Sequence, residues 1–250
     1  MHNSLYWIKY FTQNLKQQRI DWNIQPILTE IEKDNILRSL QAWQLGETSE
    51  GKSLINAATK HAEELGDQNY TDAIRLFIKE EQKHGNNLGK YLDLIGEKRI
   101  KKDWGDSLFR KFRGLNTHME FWTIAVITVE SSAQLFYQCL KDATACKLLD
   151  QICRDILIDE AAHITFQIER LSLIYNHKNA FMRFVTYYFY TIFYFSTTLV
   201  VWFAHKKLFK AGGLDFSHYL LKMKLKFKKT IKRLKPENKA GIESLEFGRS

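Results

Sequence analysis

The sequence predicts an all-α protein. Its expected architecture is an antiparallel four-helix bundle with a long crossover, preceded by an N-terminal helix and followed by an apolar helix and a basic tail. Three observations carry that expectation. The 250 residues include only 2 prolines and 12 glycines, and no run of short Val/Ile/Thr segments punctuated by turns marks a sheet. Apolar residues recur at helical spacing through four long stretches, ordered as a pair, a polar connection and a second pair. The second stretch of each pair carries a Glu-x-x-His pattern: Glu81-Gln82-Lys83-His84 and Glu160-Ala161-Ala162-His163.

Residues 1–28 form an N-terminal unit. Within it, 4–20 reads as a short amphipathic helix with Leu5, Ile8, Phe11 or Thr12 and Leu15 on one side, packed outside the bundle. Pro26 and Thr29 interrupt the chain, and the bundle occupies 29–177. Its first helix is expected over 34–65, with Ile36, Leu40, Trp43, Leu54, Ala58 and Ala62 on the apolar face and Gly66 at the end. The second runs over 71–95, where Ile74, Phe77, Leu88 and Leu92 share a broad face with Glu81 and His84. So short a connection makes these two antiparallel neighbours. Residues 97–115 are polar and basic, long enough to cross the bundle, with a short helix near 106–113. The third helix, 117–142, is the most apolar. The fourth covers 145–176.

The Glu-x-x-His pairs point to metal. Residues at i and i+3 project from one face of a helix, about 5–6 Å apart. A lone glutamate precedes each motif on the preceding helix: Glu47, 34 residues before Glu81, and Glu130, 30 residues before Glu160. One Glu from each of two helices and a Glu-x-x-His from each of the others is the ligand set of a bundle holding two metal ions. Position argues against a solvated face, because Glu130 is flanked by Ile127, Val129 and Ala133, and Ile156 lies one turn before Glu160. Buried carboxylates need cations, and mixed carboxylate and imidazole ligands suit iron, with manganese as the alternative. The candidate ligands are therefore Glu47, Glu81, His84, Glu130, Glu160 and His163. Asp159 and Glu80 sit immediately before the motif glutamates. Across facing helices, Asp159 would accept the outer N–H of His84, and Glu80 that of His163. Tyr137, two turns beyond Glu130, is expected as a core tyrosine, or as a hydrogen-bond donor or redox-active group near the centre.

Residues 34–176 resemble the ferritin-like di-iron carboxylate superfamily. Asp159-Glu160-x-x-His163 is similar to the second motif of ribonucleotide reductase small subunits and bacterial multicomponent monooxygenases. Gly46-Glu47-Thr48-Ser49, with Ala58 and Glu63-Glu64-Leu65-Gly66, is similar to the first helix of rubrerythrins. That likeness favours Glu47 over Glu50 as the ligand and leaves Glu50 as an extra ligand or proton carrier. The resemblance implies a ferritin-like bundle with a di-iron centre that reacts with dioxygen or peroxide. The chain departs from rubrerythrins in lacking a four-cysteine iron domain. It departs from ferritin in its apolar and basic extension, awkward for a closed cage.

The net charge of +9 is unevenly placed. Residues 1–205 hold 24 Lys+Arg against 24 Asp+Glu, whereas residues 206–250 hold 13 against 4. A basic surface confined to the tail, directly after an apolar segment, points to an anionic membrane rather than to nucleic acid. Residues 184–204 carry no charge over 21 positions, long enough to cross a bilayer core. Five Ser/Thr and four Tyr make them less apolar than a typical span. Residues 178–210 are thus expected as a membrane-associated helix that spans, lies in the interface or packs in the protein. The tail is 211–250, with a lysine-rich helix over 216–234. A single span would export that tail against the positive-inside tendency, which favours an interfacial placement. The three cysteines, Cys139, Cys146 and Cys153, contain no Cys-x-x-Cys and suit a reducing compartment. No signal peptide is seen, so the expected location is the cytoplasmic side of a membrane, with soluble cytoplasmic as the alternative.

Two functions fit. One is a di-iron oxidoreductase using dioxygen or peroxide on a membrane or lipid-like substrate. The other is an iron-binding ferroxidase or peroxide scavenger without an organic substrate. The electron donor is open and a homodimer is compatible. A channel from the metal site to the membrane-facing side favours the first, and a closed apolar core the second.

Overall fold

A computed structural model describes residues 1–105, 107 and 118–234. The bundle begins at Thr29. Its hydroxyl accepts the backbone N–H of Glu32, and the Glu32 carboxylate accepts the backbone N–H of Thr29, a reciprocal cap that starts helix α2 (Glu30–Glu47). The helix expected to run unbroken over 34–65 is in fact two. Helix α2 stops at Glu47, residues 48–51 turn, and α3 (Lys52–Leu65) follows. Gly51 sits at φ 63°, and a Cβ there would fall 2.5 Å from Ile78 Cδ1. Thr48 donates its hydroxyl to the Leu45 carbonyl at 2.8 Å, a local bond that competes with helix continuation. The apolar period runs across the break, so periodicity does not report it. Gly66, also at positive φ, ends α3 as expected.

Helix α4 (Asn69–Leu94) packs on α2 and α3. After the crossover, α5 (Met119–Asp142) and α6 (Lys147–Asn176) pack closely on each other and return against α3 and α4. The expected short helix near 106–113 lies, apart from Ser107, outside the described residues, as do residues 235–250. Among the described residues the fold is entirely helical, as expected.

Helix α1 (Ser4–Asn14) is shorter than the 4–20 expected and packs directly on α4. Trp7 and Phe11 enter an aromatic cluster with Phe166, at centroid distances of 5.2 and 5.4 Å, and Trp7 Nε1 donates to Glu169 Oε2 at 2.9 Å.

Helix α7 (Ala180–Ala211) contains the uncharged segment and kinks at His205, where φ is −122°. It is long and apolar enough to cross a membrane by length and composition. Its inner face lies on α5 and α2, and α8 (Phe216–Leu234) packs on α6 and α7. Tyr190, Tyr194, Trp202, Tyr219, Met223 and Phe227 join the core that contains Leu88, Ile127 and Ile156. The hydroxyls that lowered the hydropathy of 184–204 are used inside: Tyr194 donates to the Met223 carbonyl at 3.0 Å, and Thr198 to the Tyr194 carbonyl at 2.8 Å. The opposite face leaves Phe181, Phe184, Tyr188, Ile192 and Phe203 exposed. The three cysteines are buried and free.

Candidate metal centre

Four helices deliver the six candidate ligands. Helix α2 ends on Glu47, α4 carries Glu81 and His84, α5 carries Glu130, and α6 carries Glu160 and His163. One atom from each of Glu81, Glu130, Glu160 and His163 lies within 4.8 Å of the others, and so does one from each of Glu47, His84 and Glu160. Glu160 belongs to both groups. All are buried except Glu81, whose side chain is 19% exposed.

The atoms converge without pairing. His163 Nδ1 is 2.8 Å from Glu81 Oε1 and 3.5 Å from Glu160 Oε2, and His84 Nδ1 is 3.8 Å from Glu160 Oε1. None of these contacts has hydrogen-bond geometry: both Nδ1 atoms, both Glu160 oxygens and Glu81 Oε1 are buried without a hydrogen-bond partner. Such orphans are costly in a protein interior. Two divalent ions would satisfy all of them and balance four carboxylate charges, so the residues present fit a two-metal centre.

The electrostatics carry the same mark. Burial, with Glu81 beside it, pushes the Glu47 carboxyl up to about 8. Burial raises Glu160 to about 7, and raises Glu81 and Glu130, each helped by a neighbouring carboxylate. Burial opposes protonation of His163, but Glu81, Glu160 and Glu80 hold its pKa well above the usual value. The four carboxyls are thus disfavoured as anions without a cation nearby, while His163 is held as a cation in the metal-free cluster.

Behind each histidine the structure places the acidic residue that precedes the other motif. His84 Nε2 lies 3.0 Å from Asp159 Oδ2, and His163 Nε2 lies 2.8 Å from Glu80 Oε2. With Nε2–H donated outward, each Nδ1 lone pair faces the carboxylate cluster. Tyr137 donates to Glu47 Oε1 at 2.6 Å, and Trp43 Nε1 donates to the same oxygen at 2.9 Å. Glu50 is placed elsewhere: it is exposed in the turn after α2 and pairs with Lys52 at 2.5 Å.

Several residues of the site had no signature in the sequence. Trp43 reads as an ordinary apolar position of α2. Gly85 lets α4 approach the end of α2 so closely that a Cβ would meet Thr48 Cγ2 at 2.9 Å and the Glu47 Cβ at 3.1 Å. Asn14, Arg19 and Lys83 surround the outer carboxylates. Arg19 Nη1 lies 2.6 Å from Asp155 Oδ1 and 3.2 Å from Asp159 Oδ1, and Lys83 Nζ 3.2 Å from Asp159 Oδ2. Only the acidic character of the motif neighbours hinted that cations would gather here.

A cavity of about 990 Å³ abuts the centre. Glu47, Glu81 and Glu130 form one wall, and Trp122, Ala125, Val129 and Phe193 line it with apolar surface. It extends to Phe189, Ile192 and Val200 of α7, all of them exposed.

The fold is that of the ferritin-like helical proteins. No protein-family model and no curated protein sequence matches the chain. Solved structures do. A mutant R2-like ligand-binding oxidase with an aerobically reconstituted Mn/Fe cofactor superposes with a TM-score of 0.64 at 16% identity, covering 94% of each chain. An R2-like ligand-binding oxidase without metal cofactor gives 0.64 at 17% identity, covering 94% of this chain and 97% of that one. At this identity the likeness concerns the fold, and it extends over more of the chain than the four-helix core alone.

Proposed function

We propose that this protein is a two-metal oxidoreductase acting on an apolar, lipid-like substrate. The observation that carries the reading is the cavity. It begins at Glu47, Glu81 and Glu130 and ends at an exposed apolar helix, whereas a ferroxidase or scavenger needs no such volume. Glu47, Glu81, His84, Glu130, Glu160 and His163 would hold two iron ions, or one manganese and one iron as in the oxidases of like fold. When bound, such a pair supplies the redox chemistry that reduces dioxygen or peroxide. The chain's own residues do the rest. The outer carboxylates orient both imidazoles, Trp43 and Tyr137 hold one oxygen of Glu47, and the apolar wall excludes water and seats an alkyl chain.

The placement of α7 supports a membrane source for that substrate. Its outer face is apolar and exposed, and on α8 the exposed Leu221 and Leu225 alternate with exposed Lys222, Lys224, Lys228 and Lys229. Apolar side chains flanked by lysines suit an anionic lipid surface, with α7 lying along it. Packing of the inner face on α5 and α2 leaves the outer face as the apolar surface such a placement would use.

The test uses the full chain loaded with Fe(II). Two irons per chain are expected, with loss of metal in Glu160→Ala. Oxygen uptake is expected to depend on an added long-chain acyl compound, which mass spectrometry should find oxidised. Filling the cavity with Ala125→Phe should keep the metal and abolish that dependence. Oxygen uptake indifferent to the acyl compound and to Ala125→Phe would return the protein to the ferroxidase reading. For the surface, flotation with phosphatidylglycerol vesicles should exceed that with phosphatidylcholine and fall in a Phe184→Glu, Phe203→Glu variant. Equal flotation, or a stable dimer that buries α7, would remove the membrane from the scheme.

A further inference from the structure

Asn14 closes helix α1, far from the Glu-x-x-His motifs in sequence, yet its side-chain amide touches the outer shell of both. Nδ2 donates to Glu80 Oε1 at 2.8 Å and to Asp159 Oδ1 at 2.7 Å. The second oxygen of each carboxylate faces an imidazole, Glu80 Oε2 toward His163 and Asp159 Oδ2 toward His84. A primary amide has two N–H donors, and here each serves the carboxylate behind a different histidine. The amide oxygen accepts from Arg19 Nη2, while Arg19 Nη1 reaches Asp155 and Asp159. Every polar atom of Asn14 is engaged, and the residue is 6% exposed.

The chemistry of this position selects an amide. Two buried carboxylates face each other across it. An aspartate would add a third negative charge and remove both donors. A lysine would place a full positive charge between the two carboxylates and weaken the basicity they lend to the imidazoles. Alanine would strip a donor from each, although Asp159 would keep Arg19 and Lys83.

We propose that Asn14 is a positioning residue that couples the two halves of the metal centre, through Glu80 to His163 and through Asp159 to His84. The proposal rests on the two-metal reading of the site. It makes α1 part of the centre's machinery and predicts that one side chain outside the bundle governs the affinity of both ions.

The test is metal binding by the full chain, by calorimetric titration with Mn(II) and by the visible absorption of bound Co(II), which reports imidazole coordination. Asn14→Ala should weaken both ions about tenfold or more, the usual range for loss of an outer partner. Glu80→Gln should weaken one ion chiefly, and its effect at that ion should not add to that of Asn14→Ala. Asn14→Asp keeps the shape and should bind no better than Asn14→Ala, with a shifted Co(II) spectrum. Trp7→Ala removes the anchor of α1 on Phe166 and Glu169 but keeps the amide, so it should lower the melting temperature with little change in affinity or spectrum. The proposal fails if Asn14→Asp binds both ions like the wild type, if the losses add fully, or if Trp7→Ala reproduces the Asn14→Ala spectrum. A wild-type protein that takes up fewer than two ions would instead defeat the two-metal reading itself.

Discussion

Glu47 and Glu50 are separated by a single helical turn in sequence and by very different surroundings in space. Glu47 is buried, accepts hydrogen bonds from Trp43 and Tyr137, and lies with His84 and Glu160. Glu50 is exposed, and its ion pair with Lys52 lowers its pKa. An exposed pair of this kind contributes little. Glu50→Ala should therefore leave metal content and melting temperature close to wild type. Glu47→Ala should lose one ion, leaving about one iron per chain by elemental analysis. Retention of both ions in Glu47→Ala, with loss in Glu50→Ala, would reverse the assignment. Neither spacing nor composition distinguishes these two residues; the end of α2 between them does.

At the level of elements, the centre depends on how closely α4 meets the end of α2. Helix α2 stops at Glu47 because the turn through Gly51 cannot continue it, and the absence of a side chain at Gly85 leaves the room that Glu47 and Thr48 occupy. Gly85→Ala places a methyl 2.9 Å from Thr48 Cγ2 and 3.1 Å from the Glu47 backbone carbon, closer than an ordinary contact. In a helix alanine is intrinsically favoured over glycine by roughly 1 kcal/mol, but overpacking of this kind costs typically about 1–3 kcal/mol. The clash is with backbone as well as side chain, so the second effect should win. Denaturant unfolding should show a net loss, and the ion held by Glu47 and His84 should weaken more than the one held by Glu81, Glu130 and His163. A stabilised Gly85→Ala with unchanged binding would mean that α2 and α4 have room to separate. Helix α7 belongs to the same scale. Its inward tyrosines and threonines make it a packing helix on one side, while its other side keeps the apolar surface that composition advertises.

For the whole molecule, the buried carboxylates tie stability to pH and to metal. Unfolded, Glu47 and Glu160 titrate near the ordinary 4.5; folded and metal-free they sit at about 8 and about 7. Between those values the folded chain binds more protons than the unfolded one, so its stability falls as pH rises. His163 acts with the same sign. Its pKa is raised in the fold, so its contribution is present below the ordinary 6.5 and is lost as pH climbs through the folded value. Asp159, lowered by His84, Asn14 and Lys83 against the effect of burial, acts only in the acid range below its ordinary 3.8. The melting temperature of the metal-free protein should therefore drop from about pH 5 to about pH 8. Divalent metal should flatten or reverse that slope, because binding displaces the same protons. A metal-free melting temperature that rises over this range would contradict the arrangement of charges described here.

The sequence by itself determined the class of fold and put forward the six candidate ligands. The reason is physical: these are facts about one helix face at a time, and spacing of three, four and seven residues places side chains on a face without reference to anything else. Tertiary structure decided the rest. That Glu160 lies in both ligand groups, that Gly85 admits the end of α2, and that Asn14 joins two carboxylates from different helices are distances between elements, which periodicity does not encode. The break after Glu47 escaped the pattern because apolar residues keep their rhythm on either side of a turn. The role of 184–204 was likewise undecided by hydropathy, since a helix with one packed and one bare apolar face has the same composition as one that is apolar for either reason.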